Sequence, residues 1–216
     1  MRDFVFFLTD IIYNMKPMEE RRYFDTKMIA TTGILLAIEI VLQIIGNYIV
    51  IPGGFANLNF SLIIIALGAI LYGPLVGGFL GLVSGILTLF SPSTISFFFT
   101  VSPVGTILAC SLKTTLAGVI AGLIMKAFKE KNEIAGIILV SILVPIINTG
   151  IFAVFCLIFF MDMLKGINPT NIASALFISL IGFNFIFEVL TTAIIAPSLY
   201  KVMKHVSIYN RANKNI

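Results

Sequence analysis

Long apolar blocks alternate with short polar or Pro/Gly breaks along this chain, at approximately 27–50, 58–73, 74–91, 103–128, 133–161 and 171–202. A hydrocarbon core about 30 Å thick takes roughly 20 residues of helix to cross. The blocks are apolar on nearly every face, whereas a membrane β-strand alternates apolar and polar positions over about 10 residues. The pattern therefore predicts six membrane-spanning helices, the second and third divided only by the turn Tyr72-Gly73-Pro74. Composition agrees: of 216 residues, 59% are hydrophobic and 11% charged, with a mean hydropathy of +1.08, far from soluble averages. The fold class expected is an all-α integral membrane protein. Residues 1–26 form a cytoplasmic or interfacial segment, 27–204 the six-helix membrane domain and 205–216 a cytoplasmic tail.

Lys and Arg near span ends set orientation. Arg2, Lys16, Arg21, Arg22 and Lys27 precede the first span, Lys126, Lys129 and Lys131 separate the fourth from the fifth, and Lys201, Lys204, Arg211 and Lys214 follow the last. In a six-span chain all of these fall on one side and Lys165 falls on the other. Both termini are thereby expected in the cytoplasm, and the protein in the cell membrane. The net charge of +4 reflects this orientation and not nucleic-acid binding, because the cations flank spans without forming a patch. The opening MRDFVFFLTDIIYNM is interrupted by Asp3 and Asp10, and no small-residue cleavage site follows. It is an amphipathic interfacial segment or a poorly ordered extension, not a secretory signal. Cys110 and Cys156 fall inside spans, which suggests neither a disulfide framework nor a metal site.

In lipid, helices associate through close backbone approach, which small residues four apart permit. Gly73, Gly77, Gly81 and Gly85 form such a row in the third span, and Gly118 with Gly122 forms another in the fourth. Both are expected to serve internal packing or a face on which a partner slides. Ala30, Gly33 and Ala37 in span one lie away from that span's polar residues and suit a partner face better.

Glu39, Lys113 and Glu188 are ionisable and fall within spans, where charge costs about 2.5–3.5 kcal/mol on insertion scales and marks function by default. Glu39, Gln43 and Asn47 share one helix face by their spacing, and Asn184, Glu188 and Thr191 or Thr192 repeat the pattern in span six. Asn148 and Thr149 follow Pro145, whose ring kinks the helix and frees an acceptor four residues back. Two readings stay open. Either Lys113 and one glutamate form a structural ion pair, or Lys113, about 15 Å from the helix start at Pro103, meets a carboxylate on a bound ligand. On the second reading Gln43, Asn47, Ser84, Thr88, Lys113, Asn148 and Asn184 lie near the midplane or in the outer half, around a cavity open to the outside. The outer connections are 51–59, with Asn57 and Asn59, and 91–103, with Phe97, Phe98 and Phe99 between prolines. These aromatics anchor at the interface or close the cavity as a lid.

No G-x-x-x-x-G-K-[ST] occurs, and Lys113-Thr114 lacks the glycine loop of a phosphate cradle. H-E-x-x-H and G-x-S-x-G are absent too, and the sole histidine, His205, follows the last span. An enzyme is not expected. Two other classes remain: a stand-alone secondary transporter or channel using Glu39 and Glu188 as proton or cation sites, and a membrane scaffold whose polar residues only pack.

Three stretches together, LGAILYGPLVGGFLGLVSG (67–85), SPVGTILACSLKTTLAGVIAGLIMKAF (102–128) and VPIINTGIF (144–152), carry a family resemblance, with G-P-x-x-G-x-x-x-G its most specific part. The chain resembles the substrate-binding S components of energy-coupling factor transporters over roughly residues 27–204. The resemblance implies a six-helix protein that binds a vitamin-like molecule from outside and associates with a transmembrane T component and two cytoplasmic ATPases, which use ATP; the chain itself holds no cofactor. It also implies that Gly33 and Ala37 contact the T component, the family's usual first alanine being glycine here. Binding residues implied are Asn57, Asn59, Lys113, Asn148, Thr149 and Asn184. Among branches the chain looks closest to the pantothenate one, whose carboxylate suits a buried lysine; riboflavin and folate proteins share the outline, and Phe97 to Phe99, Phe183 and Phe185 could stack a flat ligand.

Overall fold

The computed structural model describes residues 26–49, 58–176 and 181–212, and among these every regular element is helical. Six helices carry the fold: α1 (Thr26–Tyr48), α2 (Ser61–Tyr72), α3 (Pro74–Leu89), α4 (Pro103–Phe128), α5 (Glu133–Phe159) and α6 (Gly182–Ala212). A short helix, Met161–Ile167, follows α5, and a π-helical turn, Thr94–Phe99, lies between α3 and α4. The chain divides into two compact units, 1–31 and 32–216. Of the first, only the opening residues of α1 are described; the rest of the expected N-terminal segment lies outside the described residues.

Helices α1, α4, α5 and α6 are long and apolar enough to cross a membrane. The two middle helices are shorter, with 12 residues in α2 and 16 in α3. At about 1.5 Å per residue they reach roughly 18 and 24 Å, less than a hydrocarbon core of about 30 Å. A single residue joins them. Gly73 adopts φ 84°, a left-handed conformation open to glycine, while its N–H closes α2 on Ala69 O at 2.9 Å and Pro74 opens α3. Residues Ser61 to Ile70 of α2 are all buried, because α2 packs against α3, α4, α5 and α6. A helix surrounded in this way needs apolar residues on every face, and SLIIIALGAILY supplies them.

Sequence caps fix the starts of the next two helices. Ser102 Oγ accepts the Gly105 N–H at 3.2 Å ahead of α4, with Pro103 at the first helical position. Asn132 Oδ1 accepts the Ala135 N–H at 3.1 Å ahead of α5; both follow the usual preference for small polar residues at that position. α5 continues through Pro145 to Phe159. The last long helix begins later than the hydrophobic pattern predicts, at Gly182 and not 171. Ahead of it the chain is already helical at Ile172–Ser174, where Asn171 Oδ1 caps the turn by accepting the Ser174 N–H at 2.9 Å, and Asn168 Oδ1 accepts from the N–H groups of Thr170 and Asn171. At its other end α6 runs past Lys204 to Ala212.

The glycine rows zip α3 to α4. A Cβ on Gly77 would strike the Gly118 carbonyl, one on Gly81 the Thr114 carbonyl, one on Gly85 the Cys110 carbonyl, and one on Gly122 the backbone of Pro74. Backbone meets backbone along the whole contact, as small residues allow in lipid. Gly73, first in the row, serves the turn instead, and a Cβ there would meet nothing within 4 Å, although its backbone also lies against Gly122.

Candidate functional site

Polar side chains from five helices converge near the end of the 32–216 unit where α1 and α3 finish and α2, α4 and α6 begin. They line one cavity of about 70 Å³, room for several waters. Its wall includes Gln43 and Asn47 of α1, Asn59 ahead of α2, Thr88 of α3, Lys113 of α4, Asn148 and Thr149 of α5, and Asn184 and Glu188 of α6. The opposite end is marked by a clamp between the start of α5 and the end of α6. There the Lys204 ammonium donates to Glu133 Oε2 at 2.6 Å, and the Tyr200 hydroxyl donates to Glu133 Oε1. The basic residues Lys126, Lys129, Lys131, Lys201 and Lys204 thus gather away from the cavity.

A chain of hydrogen bonds runs through the wall. Gln43 Nε2 donates to Asn47 Oδ1 at 3.0 Å and to Thr88 Oγ1 at 3.2 Å. The Ser61 hydroxyl donates to Asn59 Oδ1 and also meets Ser84 Oγ. Each hydroxyl has one proton, so Ser84 supplies the one between the two serines, with Gln43 Oε1 3.4 Å away. The Asn59 backbone N–H then donates to Glu188 Oε1 at 3.0 Å. Residues 43, 84, 61, 59 and 188, from four helices, are locked into one arrangement.

Other valences remain open. Among the described residues, Asn59 Nδ2 and Asn148 Oδ1 are buried without a hydrogen-bond partner, and such groups are costly unless something satisfies them. The Lys113 ammonium lies 4.7 Å from the centre of the Phe152 ring, a cation–π distance. No ion pair joins Lys113 to Glu39 or Glu188 among the described residues. The structural ion pair left open by the sequence is therefore not formed in this arrangement.

Most sequence-predicted site residues are brought together, and a few are not. Gln43, Asn59, Lys113, Asn148, Thr149, Asn184 and Glu188 line the cavity. Ser84 is wholly buried behind the wall. Glu39, one turn from Gln43, is 0% exposed, lies off the wall, and neither carboxyl oxygen has a hydrogen-bond partner among the described residues. Asn57 lies outside the described residues, as does the side chain of Phe183. In the aromatic triplet, the π-helical turn separates three fates. Phe98 is buried on the wall and packs edge-on to Phe152 and Phe160, ring centres 5.7 and 5.2 Å apart, while Phe99 is half-buried and Phe97 exposed. Ala30, Gly33 and Ala37 are exposed on α1, and a Cβ at Gly33 would meet nothing within 4 Å.

Sequence reasoning missed Ser91, Thr94, Thr106, Phe152 and Phe160 on the wall. Ser91, Thr94 and Thr106 look like ordinary helix-end residues: Ser91 Oγ donates to Thr94 Oγ1 at 2.7 Å, and Thr106 Oγ1 to Ser102 O at 2.7 Å. Phe152 had a signal, since it sits one turn beyond Asn148. Among the described residues no three metal-ligating side chains gather. A concave wall with one ammonium, one carboxylate, unsatisfied amides and aromatic rings is suited to holding a small polar molecule.

A model of the family described as ECF transporter, substrate-specific component, matches residues 27–202, most of the chain. No curated protein matches it.

Proposed function

The chain belongs to the substrate-specific components of ECF transporters, and from that premise we propose that it binds pantothenate in this cavity for ATP-driven import. Membership makes it a subunit of a membrane transporter, which associates with an ECF module and takes a small-molecule substrate. The finer assignment rests on one observation: Lys113 presents its ammonium to the cavity, and among the described residues no carboxylate forms an ion pair with it. An ammonium at membrane depth that no carboxylate touches favours an anionic guest. Pantothenate brings a carboxylate for Lys113, and hydroxyl and amide groups for Asn148 Oδ1, Asn59 Nδ2 and Glu188.

With six spans and both termini in the cytoplasm of the cell membrane, the basic end lies inside and the cavity opens outward, as uptake requires. The module would comprise a T component and two ATPases, with Ala30, Gly33 and Ala37 on the T-component contact. The ATPases use the ATP and this chain carries no cofactor. A cavity of about 70 Å³ is smaller than the roughly 300–1,000 Å³ of ligand pockets, so the wall must yield on binding. The connection Ser91–Ser102, bearing Phe98, is the segment we assign to that movement. A second reading, a flat carboxylate such as folate, draws on the ring cluster of Phe98, Phe152 and Phe160.

The test is thermal stabilisation of the purified protein in detergent by pantothenate, riboflavin, folate, thiamine, biotin, nicotinate, pyridoxal and lipoate. At about 100 times Kd a ligand adds roughly 2.7 kcal/mol, or about 5–10 °C in Tm at about 2–4 °C per kcal/mol. Pantothenate should give that shift, and Lys113→Ala should abolish it while still folding. A shift with another compound replaces the substrate; none with any compound favours the scaffold class.

A further inference from the structure

Resting on the binding reading above, we infer that the ligand is a monoanion and that one proton enters the cavity with it, settling on Glu188. The titratable groups on the described wall are Lys113 and Cys110 of α4 and Glu188 of α6. Two helices pack against α6, namely α2 and α5. Ahead of α2, the wall offers Glu188 the Asn59 N–H, and α5 offers Asn148 and Thr149; none of these is charged. The empty cavity therefore balances one cation against one anion, and the two are not in contact.

A ligand carboxylate docking on Lys113 removes that balance. Two carboxylates would then share one ammonium in a cavity whose wall includes the rings of Phe98, Phe152 and Phe160, where an uncompensated charge is strongly disfavoured. No other cation on the described wall can answer it. A proton taken from solvent by Glu188 restores neutrality. It also turns the carboxyl oxygen that does not hold the Asn59 N–H into a donor, able to bond a ligand carbonyl or hydroxyl oxygen. A neutral or zwitterionic ligand would need no such proton, so proton uptake separates these substrate classes whatever pose the ligand takes.

The experiment is isothermal titration of the full-length protein with pantothenate in phosphate and in Tris, between about pH 5 and pH 8. The difference in heat between buffers gives the protons bound per ligand. We expect about one proton taken up at the alkaline end, with Kd rising about tenfold per pH unit there. Glu188→Gln should flatten both and bind more tightly than the wild type at the alkaline end, while Cys110→Ser leaves the slope in place. Pantothenate binding with no proton uptake at any pH overturns the inference and leaves the binding reading standing. Undiminished uptake in Glu188→Gln also overturns it, by placing the proton elsewhere. The wild-type titration carries the test alone if that variant fails to fold, and an absence of pantothenate binding at every pH overturns both statements.

Discussion

Gly77→Ala probes the helix contact that holds the cavity's α3 and α4 walls in register. A Cβ at Gly77 would lie 2.6 Å from the Gly118 carbonyl oxygen and 2.8 Å from Ala69 Cβ, whereas carbon atoms rest about 3.5–4.0 Å apart. The two obstacles belong to different helices, α4 and α2, so α3 cannot relieve one without meeting the other. It must move by about 1 Å, and such overpacking costs roughly 1–3 kcal/mol. Replacing helical glycine by alanine also gains up to about 1 kcal/mol of propensity, which would obscure a single measurement. Gly33→Ala provides the correction: it gains the same propensity, and its Cβ meets nothing within 4 Å. The difference between the two variants is therefore the overpacking alone, about 2–12 °C in Tm at about 2–4 °C per kcal/mol. Cys110 and Cys156 are both buried and unbonded, so a fluorogenic thiol dye reports unfolding directly. Equal melting temperatures for Gly77→Ala and Gly33→Ala would refute the backbone-contact account of the glycine row.

Phe98→Ala should destabilise by about 3–5 kcal/mol, because a buried ring packed edge-on against Phe152 and Phe160 is lost; the same dye melt measures it. Ser84→Ala leaves Ser61 bonded to Asn59 but removes the hydroxyl that donates to buried Ser61 Oγ. A loss of about 0.5–1.5 kcal/mol is expected, with ligand stabilisation reduced less than in Lys113→Ala, since Ser84 lies behind the wall. Gly33→Leu combined with Ala37→Leu should leave melting and ligand binding of the isolated protein intact while abolishing co-purification with the T component. Retained co-purification would remove that face from the contact.

What the sequence determined by itself follows from solvent. Lipid requires helices whose backbone groups are satisfied internally, so the apolar blocks placed α1, α4 and α5 nearly to their ends. The starts expected at 103 and 133 are the observed ones, and the glycine rows announced a close contact. The convergence of Gln43, Lys113, Asn148, Asn184 and Glu188 was also legible, because ionisable and amide groups at membrane depth have few reasons to be there. Partnership among these groups was not, since it depends on distances between helices that no single-chain periodicity encodes. Hydropathy treats Glu39 and Glu188 alike, yet packing seals Glu39 off the wall and gives Glu188 the Asn59 N–H. The same holds for Phe97 and Phe98, adjacent in sequence and turned outward and inward by a π-helical turn. Likewise the start of α6 was not legible: a capped turn begins at Ile172, close to where the pattern predicts a helix, yet the long helix starts only at Gly182. Composition selected the solvent and the helices, and only tertiary packing decided which polar groups face one another.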